Sequence, residues 1–408
     1  MSRSNIFAVL VGLAVVSWPI LCGQAVSAED AEKAFDSQAW QKAQKTGQRA
    51  VETSDYGLAE RSFNQALEEA RKLPSPANDR KMAESLTGLA NLYVIRGQNA
   101  KAEPLYERAL KIKQAGSVPL DKDLLRLKAK VIQFYLSQNK KDRALKLVDE
   151  IAMASEVEVK QFIDVVQAFN RLQGFYHANR KLEEAEIQVK QAQDSTIAYL
   201  KDNAQEDAVL FDNLAGNIKD LSQPHASKLA ERLYKSALAL RERSLPPEHA
   251  ALSASMENLG RLYLKENHLA QAELLLSKSY EMSLKTLGLE RRETQIKLDG
   301  LAQALIAQGH LARAEAQYRK LFAQDPKTFK PGPDILAQFA ALLVRQGKYQ
   351  EATNYYARAL KMQEAAYGPN HASLVNLLEA FSLALNKANR PQEAQKMEIG
   401  RASCRERV

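Results

Sequence analysis

One alanine recurs along this chain at nearly constant spacing: Ala59, Ala102, Ala144, Ala185, Ala230, Ala272, Ala314, Ala352 and Ala394, with gaps of 38 to 45 residues. Six of the nine are followed by glutamate, so the repeat extends beyond a single position. A period in this range means a small supersecondary unit that cannot bury its apolar face alone and must stack on its neighbours. Four residues after the alanine stand Phe63, Tyr106, Val148, Val189, Tyr234, Leu276, Tyr318 and Tyr356. Three further on come Ala66, Ala109, Ile151, Ala192, Ala237, Ser279, Leu321 and Ala359. Offsets of four and three put all these positions on one face of a helix.

A second helical pattern precedes the first, thirteen and nine residues upstream of the alanine: Leu89 with Tyr93, Leu172 with Tyr176, Leu259 with Tyr263, Leu301 with Leu305, Phe339 with Leu343. Between the two helices lies Gly97, Gly309 or Gly347, or else Asn139, Asn267 or Asn389. Glycine and asparagine are the residues a left-handed helix terminus accepts. Most prolines fall between units, where a helix must stop. The unit is therefore a helix hairpin, closed where a small alanine faces a large residue. Ala, Leu, Glu, Lys, Gln and Arg dominate the composition, and no alternating β-branched runs bounded by Asn-Gly or Asp-Gly turns interrupt it.

The stretches Leu86–Tyr93 with Gly97, Ala102–Leu110 and Ala352–Leu360 resemble the tetratricopeptide repeat family. The inter-unit segments Leu245-Pro-Pro-Glu-His249 and Tyr367-Gly-Pro-Asn-His371 resemble the linkers of its 42-residue, kinesin light chain-like form. The resemblance covers about residues 40–398, as some nine hairpins with the last one truncated. Units at 121–154, 156–202 and 205–245 depart from the pattern by lacking the turn glycine. The resemblance implies an all-α, right-handed superhelical solenoid of antiparallel hairpins whose first helices line a concave groove that binds peptides or partner helices.

Both ends read differently from the middle. Arg3, the apolar run Ile6 to Leu21, and small residues Val26-Ser27-Ala28 before Glu29 form the pattern of a secretory signal peptide over 1–28. The run is about 16 residues and carries Gly12 and Pro19, which is short for a spanning helix, and the alternative is an uncleaved membrane anchor. Residues 29–39 form a lead-in. The last ten residues, 399–408, resemble the translation of a common sequencing adapter, and the helical pattern is expected to stop before them as a non-native tail. Setting both ends aside removes four arginines and one glutamate from the 57 basic and 49 acidic residues, for a net charge near +5. Spread over interleaved charges of both signs, that excludes a nucleic-acid stripe. Cys22 and Cys404 are set aside with the ends, so stability must come from packing.

In the groove the resemblance implies, the inward positions are Glu84, Asn91, Arg126, Gln133, Asn170, His177, Lys219, Glu257, Arg261, Asp299 and Gln303. Their mixture predicts recognition of a protein or peptide partner through hydrogen bonds and charge complementarity. Five of the six histidines, His225, His249, His268, His310 and His371, fall in turns or linkers as capping residues. There is no His-Glu-x-x-His helix, phosphate-binding glycine loop or Gly-x-Ser-x-Gly elbow, so no catalytic residue, cofactor or metal site is expected. The expectation is an exported, periplasmic or secreted scaffold that binds no nucleic acid and, after signal cleavage, no membrane. The alternatives are the recognition arm of a larger enzyme and a self-associating structural protein.

Overall fold

The computed structural model describes residues 38–73, 77–116, 121–178, 204–223, 225–323 and 331–405. Among them every regular element is a helix, and the helices pair in chain order as eight antiparallel hairpins. The first three are α1 (Gln38–Glu52) with α2 (Tyr56–Arg71), α3 (Ala77–Ile95) with α4 (Asn99–Gly116), and α5 (Lys122–Ser137) with α6 (Lys141–Ala178). Then come α7 (204–218) with α8 (Ala226–Ser244), α9 (Ala250–Lys265) with α10 (Leu269–Leu287), and α11 (Arg292–Ala307) with α12 (Leu311–Phe322). The last are α13 (Pro333–Arg345) with α14 (Tyr349–Tyr367), and α15 (Val375–Lys387) with α16 (Pro391–Arg405). The described residues form two compact units, 38–178 with 220–229, and 204–219 with 230–405.

The alanine ladder is the floor of each hairpin. Ala59, Ala102, Ala144, Ala230, Ala272, Ala314 and Ala352 are completely buried, and Ala394 is 1% exposed. The large residue four positions on is buried in the described repeats from Phe63 to Tyr356, and its neighbourhood shows why small partners are needed. A Cβ added at Gly47 on α1 or Gly88 on α3 would fall 2.8 or 2.7 Å from carbons of the Phe63 ring. The same clasp holds Leu276, where a Cβ at Gly260 would meet its Cγ at 2.8 Å and one at Gly300 its Cδ2 at 3.2 Å. Each of these side chains thus sits between a glycine of its own hairpin and a glycine of the next.

The turns follow one design. Gly97, Asn139, Asn267, Gly309, Gly347 and Asn389 all have φ between +57° and +79°. The next amide in each case donates to the carbonyl five residues back at 2.8–2.9 Å, which satisfies an otherwise orphaned helix end. The first hairpin uses Ser54 at φ +61°, with Asp55 making the equivalent 2.8 Å bond to Ala50, a turn that carries neither glycine nor asparagine. Asp55 and Asp121 cap the helices that follow them by accepting from Leu58 and Leu124 at 2.9 Å. The linker histidines are caps as well: His249 Nδ1 accepts from the Ala251 amide at 3.1 Å and His371 Nδ1 from Ser373 at 3.2 Å.

The glutamate after the ladder alanine has a function the repeat alone does not disclose: it reaches the turn region of the next hairpin. Glu60 accepts from Tyr93 and Arg96 at 2.7 Å, Glu103 binds Lys140 and Arg143, and Glu231 accepts from Tyr263 at 3.0 Å. Glu273 accepts from Gln308 at 2.7 Å and Glu315 from Lys348 at 2.7 Å. The hydroxyl of Tyr93, aided by Arg96, holds the Glu60 carboxyl below its ordinary value. At Glu315, burial alone would raise the carboxyl, but Lys348, Arg319 and Gln346 outweigh it and bring it down to about 2.

Two boundaries differ from expectation. The break expected between units at 154 and 156 is absent, because α6 runs unbroken from Lys141 to Ala178. The sequence Ala154-Ser-Glu-Val-Glu-Val-Lys160 holds no glycine, proline or asparagine to end a helix. The helical pattern also does not stop before the last ten residues, since α16 reaches Arg405 and Cys404 is fully buried. Gly400 lowers helix propensity by only about 1 kcal/mol, and the flanking Ala, Arg and Glu residues are helix-compatible. Ala185, Val189, Ala192 and the segment 1–28 lie outside the described residues.

Candidate functional site

The first unit carries an open groove of about 470 Å³ across its three first helices. These helices bury one face against their partners, through residues such as Ala43 on α1, Leu86 on α3 and Val131 on α5, which leaves the opposite face open. On α1 that face presents Gln44, Gln48 and Glu52, on α3 Glu84, Thr87 and Asn91, and on α5 Asp123, Arg126 and Lys130. Phe63 closes the floor from α2, and Lys113 enters from α4.

The polar groups of the groove are held to different degrees. Asn91 Oδ1 accepts from the Tyr106 hydroxyl at 2.6 Å, which fixes the amide and leaves its NH₂ to donate elsewhere. Lys113, almost fully buried, lies 3.2 Å from Asp123, while Arg80 lies 3.4 Å from Asp123 and 3.6 Å from Glu84. Burial pushes the Glu84 carboxyl above its ordinary value, and Lys113 and Arg80 only partly offset this. Gln44 is 9% exposed and its Oε1 has no hydrogen-bond partner. A buried carbonyl left unpaired costs about 1–3 kcal/mol.

On α9 and α11 of the second unit the inward residues satisfy one another. Glu257 on α9 binds Arg261 Nε at 2.9 Å and Lys297 Nζ at 2.8 Å. Burial would raise its carboxyl, but the two cations outweigh that and hold it below the ordinary value. Arg261 also donates to the carbonyl of Ile296 at 3.2 Å. On α11, Asp299 accepts from Gln303 at 2.8 Å and from Tyr318 at 3.4 Å, and burial raises its carboxyl.

Of the residues expected to face a partner, Glu84, Asn91 and Arg126 converge in the first groove. Gln133 is exposed on α5 but does not line it. Glu257, Arg261, Asp299 and Gln303 form the two self-contained networks of the second unit. Lys219, expected on a first helix, lies in the turn just beyond α7, where its carbonyl accepts from Lys265 at 3.2 Å. The helix ends there because Asp220, Ser222 and the Pro224 that follows cannot extend it. Asn170 and His177 fall on the last turns of α6, and their side chains lie outside the described residues. Gln44, Gln48, Glu52, Asp123, Lys130 and Lys113 were not anticipated. The repeat register contained a signal for two of them: Gln48 stands eleven residues before its ladder alanine, as Asn91 does, and Gln44 fifteen before, as Glu257 and Asp299 do.

Among the described residues no group of three His, Cys, Asp or Glu side chains could hold a metal ion, and no helix is long and apolar enough to cross a membrane. The fold and its clasped alanine ladder define a tandem helix-hairpin repeat protein. Residues 50–115, 227–285 and 334–398 match the tetratricopeptide repeat family model, so the chain carries these repeats in both units. A comparison with curated proteins finds no match. Among solved structures, the chain is similar to nearly identical TPR-like repeats of a Podosopora anserina protein described as a kinesin light chain. The identity is 23% over 50% of this chain and 95% of that one, with a TM-score of 0.41. It is also similar to Acl4, an assembly chaperone of RpL4, at 16% identity over 76% of this chain and 98% of that one, with a TM-score of 0.40. A third is a tetratricopeptide repeat protein from Parabacteroides merdae, at 15% identity over 84% and 99% of the two chains, with a TM-score of 0.34.

Proposed function

We propose that this chain is a scaffold that binds a protein or peptide partner in the groove of its first unit. The observation that carries the reading is the contrast between that groove and the inward face of α9 and α11. There, the carboxylates of Glu257 and Asp299 are closed by Arg261, Lys297, Gln303 and Tyr318. In the first unit, an oriented amide donor at Asn91 and the exposed side chains of Glu52 and Lys130 line a groove wide enough for a chain segment. Polar groups left without internal partners favour a ligand that supplies them, whereas satisfied ones resist desolvation. The pattern of residues 1–28 supports export as part of this proposal, with the partner met outside the cytoplasm; amino-terminal sequencing of the mature chain should begin at Glu29. A photo-crosslinking residue at Gln48 should trap a discrete partner, and the same probe at Gln303 should not. Equal labelling at both sites, or none at Gln48, would refute the assignment.

A further inference from the structure

Resting on that reading, we propose that the first groove selects an extended polypeptide segment bearing a basic and an acidic residue about six positions apart, the basic one over Glu52 and the acidic one over Lys130. The groove crosses α1, α3 and α5 in succession, and its charges are compensated unevenly along that path. At the centre, Glu84 and Asp123 already face Arg80 and Lys113. At the α1 end Glu52 is exposed and lacks an ion-pair partner among the described residues. At the α5 end Lys130 is likewise exposed and lacks an ion-pair partner among the described residues. A ligand of uniform charge would be attracted at one end and repelled at the other.

The backbone conformation follows from the centre of the groove. Asn91, its Oδ1 held by the Tyr106 hydroxyl, offers its NH₂ as a donor to the carbonyl of a peptide unit. A helical ligand has its carbonyls paired internally, while an extended one presents them. Packed helices stand roughly 8–10 Å apart, so α1 to α5 spans roughly 16–20 Å. An extended chain rises about 3.3 Å per residue and turns alternate side chains to the same side. The charges should therefore sit an even number of positions apart, and about six fits the span.

The test is fluorescence anisotropy of labelled ten-residue peptides with the full chain. Lys and Glu are placed at positions i and i+6, in both orders, in a Ser/Thr/Val background. Comparison peptides carry Lys at both positions, Glu at both, or the opposite charges at i and i+5. The preferred opposite-charge order should bind about tenfold tighter than either like-charged peptide, with the advantage shrinking in high salt. In the double variant Glu52→Lys with Lys130→Glu, the preferred order should invert. Equal binding of all peptides, or tightest binding by a like-charged one, overturns the inference and leaves the groove assignment standing if Gln48 still crosslinks. Failure of every peptide together with loss of crosslinking at Gln48 overturns both.

Discussion

Replacing Glu315 by glutamine isolates the bond that ties one hairpin to the next. Glu315 follows the ladder alanine of α12, and its side chain is only 13% exposed. Its two oxygens accept from Lys348 at 2.7 and 2.8 Å, and Arg319 Nε donates to it at 2.8 Å. Lys348 belongs to the turn that opens α14, so the interaction crosses between hairpins. With the carboxyl held at about 2, against 4.5 for an ordinary glutamate, the folded state prefers the ionised form. Each pKa unit corresponds to about 1.4 kcal/mol, so the full gap would be roughly 3 kcal/mol. The two cations are themselves 43% and 48% exposed, and solvent screening reduces this to about 1–2 kcal/mol. A folded-state pKa below the unfolded one means that the stabilisation is complete above about pH 4.5 and is lost as pH falls towards about 2. Glu315→Gln should therefore lower stability by that amount at about pH 7, and less than half of the difference should remain at about pH 3. Urea titration followed by circular dichroism measures the difference. Hydrogen exchange at neutral pH should place it in α12 and α14, because stability in stacked repeats is nearly a sum of local terms. A variant as stable as the parent at neutral pH, or a difference unchanged by acid, would refute the reasoning.

Other expectations come from the hairpin interiors. Gly260→Ala puts a Cβ 2.8 Å from Leu276 Cγ and should cost about 1–3 kcal/mol by overpacking; combined with Leu276→Ala, itself destabilising, it should cost less than the sum of the two single losses in a thermal unfolding scan. Ser54→Gly should stabilise the first hairpin by about 1 kcal/mol, since Ser54 sits at φ +61°; a lower melting temperature would contradict the strain assigned to that turn. Lys297→Met removes one of the two cations on Glu257 and should destabilise by about 1–3 kcal/mol at neutral pH. The titration of Glu257, followed by carboxyl NMR shifts, should move upward in that variant.

Much of the hairpin architecture is legible in the sequence. The ladder alanines, the large residue four positions on and the left-handed turn residues all depend on local geometry with a helical period, and a periodic signal repeated many times is read with ease. Where a signal was wrong or missing, a local cue was weak. Ser54 takes a turn position that its residue type does not advertise. The boundary after Ala154 was inferred from spacing alone, and no helix-breaking residue enforced it. Lys219 was one residue from its expected place because the polar residues after it ended α7 early.

What the sequence by itself determined is the repeating unit: which residues become floor, wall and turn, since each is dictated by neighbours within about forty positions. What only the tertiary structure decided is which inward groups remain in need of a partner. Glu84 and Glu257 are both polar residues of the inward register, yet one lies in an open groove beside an unpartnered glutamine and the other is closed between Arg261 and Lys297. That difference depends on side chains arriving from other helices, at distances no periodicity encodes, and it is what separates an open groove from a closed network.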